Sequence, residues 1–250
     1  MAELLFPARC TVCSTPIGKN AGEKDDLPMC EECFRRYEAE TFEPCPVCGR
    51  KADKCDCGSS AYSRGAIYGR HALSIIFYTK YDPESDRATE RLIFRLKREY
   101  NKQLIDFFAR DVSAHLMKLI VSENSNPGDF LLTFPPRTIK SAVKYGFDHA
   151  EELTARISYY TGIPMAHLLG RVSGVEQKKL SSGERFFNVS QSIYVKNRSE
   201  AKGKRIILFD DVITTGATME LSSELLLAAG AESVFPVSIA KTKRRKKADP

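Results

Sequence analysis

The sequence predicts an α/β fold built on a parallel sheet and preceded by a small metal-stapled module, on three observations. Ile206-Ile207-Leu208-Phe209 is an unbroken apolar run leading into a polar loop and a helical stretch, the pattern of a strand covered on both faces. Asp129 to Thr133 repeats that pattern ahead of the amphipathic stretch Ala150, Leu153, Ile157, Tyr160. All eight cysteines precede these segments, in closely spaced pairs.

Length and charge bound the reading. At 250 residues the chain holds one or two domains and enough mass for a real core. No apolar run approaches the roughly 20 residues needed to span a bilayer. Met1 to Pro7 lacks the basic and apolar regions of a secretory signal. A cytoplasmic setting follows, with peripheral attachment at an inner membrane as an option, and there cysteines stay reduced and favour metal over disulfides. The net charge of +6 is unevenly spread: residues 1–60 carry 8 Lys/Arg against 11 Asp/Glu, residues 61–240 carry 24 against 20, and the last ten carry 6 against 1. The cysteine-rich part is acidic, which weakens any inference from zinc fingers to DNA, because phosphate affinity comes from clustered Lys and Arg. Three parts are expected: a module over 1–60, a body over 61–240 and a basic, disordered tail over 241–250. That tail could attract DNA or an anionic membrane surface non-specifically.

In the module, Cys10-x-x-Cys13 and Cys30-x-x-Cys33 have the spacing of a four-cysteine zinc site. Cys45-x-x-Cys48 and Cys55-x-Cys57 supply a second set. Sequential pairing (10, 13, 30, 33 and 45, 48, 55, 57) gives two ribbons in a row. Interleaved pairing (10, 13, 45, 48 and 30, 33, 55, 57) is the alternative. With so few large apolar residues, the module needs its two metal ions to fold.

In the body, Leu92, Leu96, Leu104, Phe107, Phe108, Val112, Leu116 and Leu119 recur at helical spacing, predicting one helix from Asp86 to Val121. Arg87, Arg91, Arg95, Arg98 and Lys102 fall on its opposite stripe and are expected to face solvent. Lys97 lies off that stripe, beside the apolar face. Phe134-Pro135-Pro136-Arg137 ends the strand at 129–133, and its rigid turn, with Arg137, Lys140 and Lys144 nearby, suits an anion. His71, His115 and His167 are expected at packing or surface positions. Gly174 to Val189, between strands expected at 164–169 and 192–195, is polar, Gly/Ser-bearing and cationic, as a lid over a charged substrate would be.

The densest chemistry is Asp210-Asp211-Val212-Ile213-Thr214-Thr215-Gly216-Ala217-Thr218. Backbone N–H groups at the following helix start converge on one spot, with hydroxyls beside them, which makes an anion pocket. The acidic pair stands within a sugar's length of that pocket, suited to ribose hydroxyls or a hydroxyl-bound Mg²⁺. Parallel sheets place ligands at these open strand ends.

This string resembles the phosphoribosyl pyrophosphate (PRPP) signature of type I phosphoribosyltransferases. Together with the cysteine ladder, Pro135-Pro136, Gly146-Phe147 and the Gln177 to Asn188 segment, the whole chain resembles the ComF-type competence proteins. That resemblance implies a parallel-sheet type I phosphoribosyltransferase fold behind an N-terminal double zinc ribbon. It gives Thr214, Thr215, Gly216, Ala217 and Thr218 to the 5′-phosphate, Asp210 and Asp211 to the ribose, and Pro136 and Arg137 to the pyrophosphate. Lys178 and Arg185, in the flexible segment, join Asp210 and Asp211 as the expected catalytic set. Asp148-His149 stands where the family usually has Asn-Gln.

The implied ligands are PRPP with Mg²⁺ and two structural zinc ions. The implied setting is DNA uptake in natural transformation, with single-stranded DNA and a competence helicase as partners. Two other readings stay open: a nucleobase or amide phosphoribosyltransferase of nucleotide salvage or synthesis, and a non-catalytic nucleotide-binding component of DNA uptake. The sequence shows no base-binding hood that would favour salvage, and it does not decide whether turnover occurs.

Overall fold

With apolar side chains on both sides of the backbone, the core strands are stable only between two covering layers. The computed structural model describes residues 8–17, 27–55, 57, 72–79, 81–137, 146–171 and 193–242. In chain order it contains helix α1 (Glu31–Thr41), strand β1 (Leu73–Tyr78), and helices α2 (Ala88–Leu96) and α3 (Lys102–Ser122). Strand β2 (Phe130–Thr133), helix α4 (His149–Thr161) and the short strands β3 (Leu169–Arg171) and β4 (Ile193–Val195) follow. The single turn α5 (Arg198–Ala201), strand β5 (Arg205–Ile213), helix α6 (Ala217–Ala228) and strand β6 (Ser233–Thr242) complete it.

The main sheet has the order β1-β6-β5-β2 and is parallel throughout. On one face Ile207 and Phe209 of β5 pack with Phe108, Val112 and Leu116 of α3 and with Leu153 and Ile157 of α4. On the other, Ile206 and Leu208 pack with Leu226 of α6, Leu168 and Ile193. The strand thus divides its side chains between two cores, as the unbroken apolar run requires. Strands β3 and β4 form a separate antiparallel pair, Leu169 opposite Val195. They bracket the expected lid, which lies outside the described residues.

Two helical expectations change. The stretch predicted as one helix is two, because Lys97 closes α2 and Asn101 caps α3, its side-chain oxygen accepting from the Leu104 N–H at 3.0 Å. Asn101 is a good N-cap residue, so the break was readable. The arginine stripe does not simply face solvent. Arg98 and Lys102 are exposed, but Arg87 Nη1 pairs with Glu43 at 2.8 Å, Arg91 donates to the Val12 carbonyl at 3.4 Å, and Arg95 donates to the Ser14 hydroxyl at 3.0 Å. Glu43, Val12 and Ser14 all lie near cysteines, so the stripe is the seat of the N-terminal module. Cys10, Val12, Met29, Cys33 and Tyr37 share one apolar cluster with Leu92 and Phe108.

The tail expectation also needs correction. Strand β6 continues through Lys241 and Thr242, pairing them with Phe77 and Tyr78 of β1. Lys241 is 2 % exposed, and its ammonium donates to the Cys55 carbonyl and lies 5.6 Å from the Phe77 ring centre. Phe77 in turn packs with Cys45, Ala52 and Cys55. Residue 241 therefore clamps the second cysteine set to the sheet, and residues 243–250 lie outside the described residues. Composition misled here, because a lysine beginning a basic run reads as solvated. Replacing Lys241 by Met keeps the apolar contact and removes the donor. Urea unfolding should then show a loss of about 1.5–3 kcal/mol, the usual worth of a charged hydrogen bond. A variant as stable as the parent would show that the carbonyl is equally well served by water.

Candidate phosphate and acidic site

The loop that follows β5 is formed by local rules. Gly216 has φ 81°, a left-handed backbone that side chains resist, and it serves as the N-cap of α6. Thr214, Thr215 and Ala217 are exposed and Thr218 is half-buried, so the first turn of α6 opens to solvent. The Thr215 hydroxyl accepts from the Ala217 N–H at 3.4 Å. Free helix-start N–H groups with hydroxyls beside them are what an anion needs.

The acidic pair lies inside β5, before its last residues Val212 and Ile213, rather than after the strand. The two carboxylates are not equivalent. Asp211 is 6 % exposed; its Oδ1 accepts from the Val212 N–H at 2.7 Å. Its Oδ2 faces Arg137 Nη2 at 3.4 Å and Lys97 Nζ at 3.8 Å. Asp210, half-buried, accepts from the Asp211 N–H at 2.8 Å. Burial, and then the negative charge of Asp211, push its carboxyl well above the usual range, with Lys97 acting the other way.

Three elements therefore meet at Asp211. Arg137 arrives from the Pro135-Pro136 turn after β2. Its Nε lies 3.6 Å from Asp148 Oδ1, and its backbone N–H donates to Asp148 Oδ2 at 3.4 Å. Arg171 Nη1 holds the Pro136 carbonyl at 3.2 Å. Asp148 has a second task as N-cap of α4, accepting from the N–H groups of Ala150 and Glu151. Lys97 enters from the end of α2. The structure thus brings Asp210, Asp211, Pro136, Arg137 and the Thr214–Thr218 loop to one end of the sheet. Lys140, Lys144, Lys178 and Arg185 lie outside the described residues. Motif reading noted Asp148 only as a departure from the family pattern and missed its capping role, although an Asp one residue before a helix is a cap signal. It set Lys97 apart but had no means of finding its partner.

Of the histidines expected at packing or surface positions, His115 and His167 take such positions, and His71 lies outside the described residues. His115 Nδ1 pairs with Asp111, one helical turn earlier, and His167 lies 3.6 Å from Glu151. His149 is fully buried, its ring 4.1 Å from that of Phe147.

The cysteines fall into the sequential sets, 10, 13, 30, 33 and 45, 48, 55, 57, with ligand atoms all within 4.8 Å of one another. The interleaved alternative is excluded. Cys13 and Cys30 Sγ are 3.8 Å apart, and Cys48 and Cys55 Sγ 3.7 Å. Such separations are too long for a disulfide, and they match the edge of about 3.8 Å that zinc–sulfur bonds of about 2.3 Å give a tetrahedron. Backbone N–H groups of Val12 and Cys13 point at Cys10 Sγ, as a thiolate would require. The donor sets fit zinc.

A pH effect follows from His149. Burial and then the nearby Arg137 depress its imidazole to about 4, with Lys97 adding to this and Asp211 opposing it. The unfolded chain, with an ordinary pKa near 6.5, binds more protons between those limits. Stability should therefore fall as pH drops from about 6.5 to about 4, by roughly 3 kcal/mol from this residue. His149→Gln should flatten the slope in denaturant melts across that window. An unchanged slope would assign the acid sensitivity elsewhere.

Residues 136–250 match the phosphoribosyl transferase domain. Over 213 residues, 83% of this chain and 81% of the relative, the sequence is 27% identical to competence protein ComFC of Bacillus subtilis strain 168. A stretch of 80 residues, 30% of this chain and 39% of the relative, is 32% identical to the transcriptional regulator GfcR of Methanocella arvoryzae. Among solved structures, glutamine PRPP amidotransferase from B. subtilis is similar at 21% identity and TM-score 0.35, over 63% of this chain and 32% of that one. Among the described residues no helix is long and apolar enough to cross a membrane. The match at 136–250 takes in Pro136, Arg137, the acidic pair and the Thr/Gly loop, while the ComFC alignment spans most of the chain. The chain is thus similar to ComFC over most of its length, and its C-terminal part matches the phosphoribosyl transferase domain.

Proposed function

We propose that this protein binds PRPP with Mg²⁺ at the β5–α6 loop and acts in DNA uptake, with a zinc ion in each cysteine set. The observation that carries the reading is the convergence on one strand end of an open helix start, a buried carboxylate and two cations from separate elements. The 5′-phosphate of PRPP matches the N–H groups and hydroxyls of Thr214–Thr218. The ribose hydroxyls match Asp210 and Asp211, and the pyrophosphate matches Arg137 after the rigid Pro-Pro turn. Bound Mg²⁺ would supply charge neutralisation at the pyrophosphate. Displacement at the ribose C1 would leave negative charge on pyrophosphate, which Arg137, with Lys178 and Arg185, would stabilise. The role in DNA uptake is supported by the ComFC likeness, and single-stranded DNA and a helicase are the partners it suggests.

Calorimetric titration with PRPP, with and without Mg²⁺, tests the binding. Asp210→Asn with Asp211→Asn should lower affinity on the order of a hundredfold or more, since charge-assisted contacts are worth about 1.5–3 kcal/mol each. The melting temperature should fall as well, because Asp211 is buried and answers Arg137 and Lys97, so affinity is compared on samples shown to be folded. Thr215→Ala should cost less, as the backbone N–H groups remain. A double variant that binds PRPP like the parent would give the acidic pair a structural task and remove the proposal. Elemental analysis should find two zinc ions per chain, and stripping them should unfold the N-terminal module. A content below about one ion per chain would contradict the four-ligand reading.

A further inference from the structure

Lys97 belongs to no motif, yet its ammonium lies 3.8 Å from the same Asp211 oxygen that Arg137 approaches at 3.4 Å. It stands at the C-cap of α2, a nine-residue helix that is about 13 Å long at 1.5 Å per residue. The far end of that helix is held by Glu40 of α1. One Glu40 oxygen accepts from the Ala88 N–H at 2.8 Å; the other accepts from the Thr89 N–H at 2.9 Å and from the Thr89 hydroxyl. A carboxylate at a helix N-terminus meets both the orphan donors and the helix dipole. Arg87 ties Glu43 and Glu90 to the same end, Arg91 reaches the Val12 carbonyl, and Arg95 reaches the Ser14 hydroxyl. Val12 and Ser14 flank Cys13, and α1 starts directly after Cys30. Leu92, Ile93 and Leu96 are fully buried on the core side. Helix α2 is therefore fixed at its cap, along its arginine stripe and along its apolar face. Its free end delivers one cation to the site.

Around Asp211 the charges are Lys97 and Arg137 against Asp211 and Asp148. A ligand whose hydroxyls or cation engage Asp211 displaces those partners, and an adjacent polyphosphate is the natural place for them. Lysine suits this exchange, being a compact charge on a flexible four-carbon stem. We propose that Lys97 is a pyrophosphate-binding residue of this site, and that Glu40 of the first cysteine module positions it through α2. This rests on the PRPP reading for the identity of the ligand, and on geometry alone for the anion.

The test is calorimetry on the full, zinc-loaded chain with Mg²⁺ and three probes: PRPP, inorganic pyrophosphate and ribose 5-phosphate. Lys97→Met should weaken PRPP and pyrophosphate about tenfold or more, the worth of one charged contact, and leave ribose 5-phosphate unchanged. Lys97→Arg should restore most of the loss. Glu40→Gln, which removes the charged cap, should weaken pyrophosphate by a smaller factor and lower the melting temperature. Equal loss for ribose 5-phosphate and PRPP would show that Lys97 acts only by holding Asp211, and would overturn the proposal. So would unchanged pyrophosphate affinity in a folded Lys97→Met variant. Unchanged pyrophosphate affinity in Glu40→Gln would overturn the positioning half. A parent that binds pyrophosphate but not PRPP would refute the proposed function while the Lys97 comparison still decides this one, and a parent that binds neither would refute both.

Discussion

A carboxylate with almost no exposure to water cannot stand alone, and Asp211 sets that condition at the open end of β5. Its charge is answered by Arg137 from the end of β2 and Lys97 from the end of α2, elements far apart in sequence. Asp148 in turn answers Arg137 while capping α4. Two helices and two strands are thus registered around one carboxylate and its partners. The same group that would meet a ribose orders the side chains around it.

The N-terminal module takes part in that order. A cysteine module of this size, with few large apolar residues, would gain its fold from metal held by its two clusters. What it offers the body is a set of fixed carboxylates and carbonyls at the places where α2 needs them. Arginines of α2 lose water at this seat and recover hydrogen bonds to Glu43, the Val12 carbonyl and Ser14. The apolar layer beneath is continuous from Cys10 and Met29 to Phe108 of α3. The second cysteine set is secured differently, by Phe77 beneath it and by Lys241 at the end of the last strand. Cysteine module, helix and sheet edge therefore support one another across the chain.

Much of this was legible in local pattern. Period and apolarity found β2, β5 and α4 because a doubly covered strand and an amphipathic helix leave unmistakable side-chain spacing. Cysteine spacing gave the eight ligands, and the order Asp-Asp to Gly216 to helix gave the loop. The errors share one cause. The arginine stripe and Lys241 were read as solvated because charge in a sequence carries no record of what faces it. The joined helix was a failure to weigh Asn101 as a cap.

Sequence by itself determined the parallel-sheet class, the eight thiolates and the composition of the anion loop, since each depends on neighbours within a few residues. Tertiary structure alone decided which cations reach Asp211, and that the first module holds the helix carrying Lys97. It also chose between the two cysteine pairings and turned a lysine at the head of a basic run into a buried clamp. The physical reason is range. Backbone geometry and ligand spacing act along the chain, whereas charge compensation and desolvation act through space between segments that only the fold brings together.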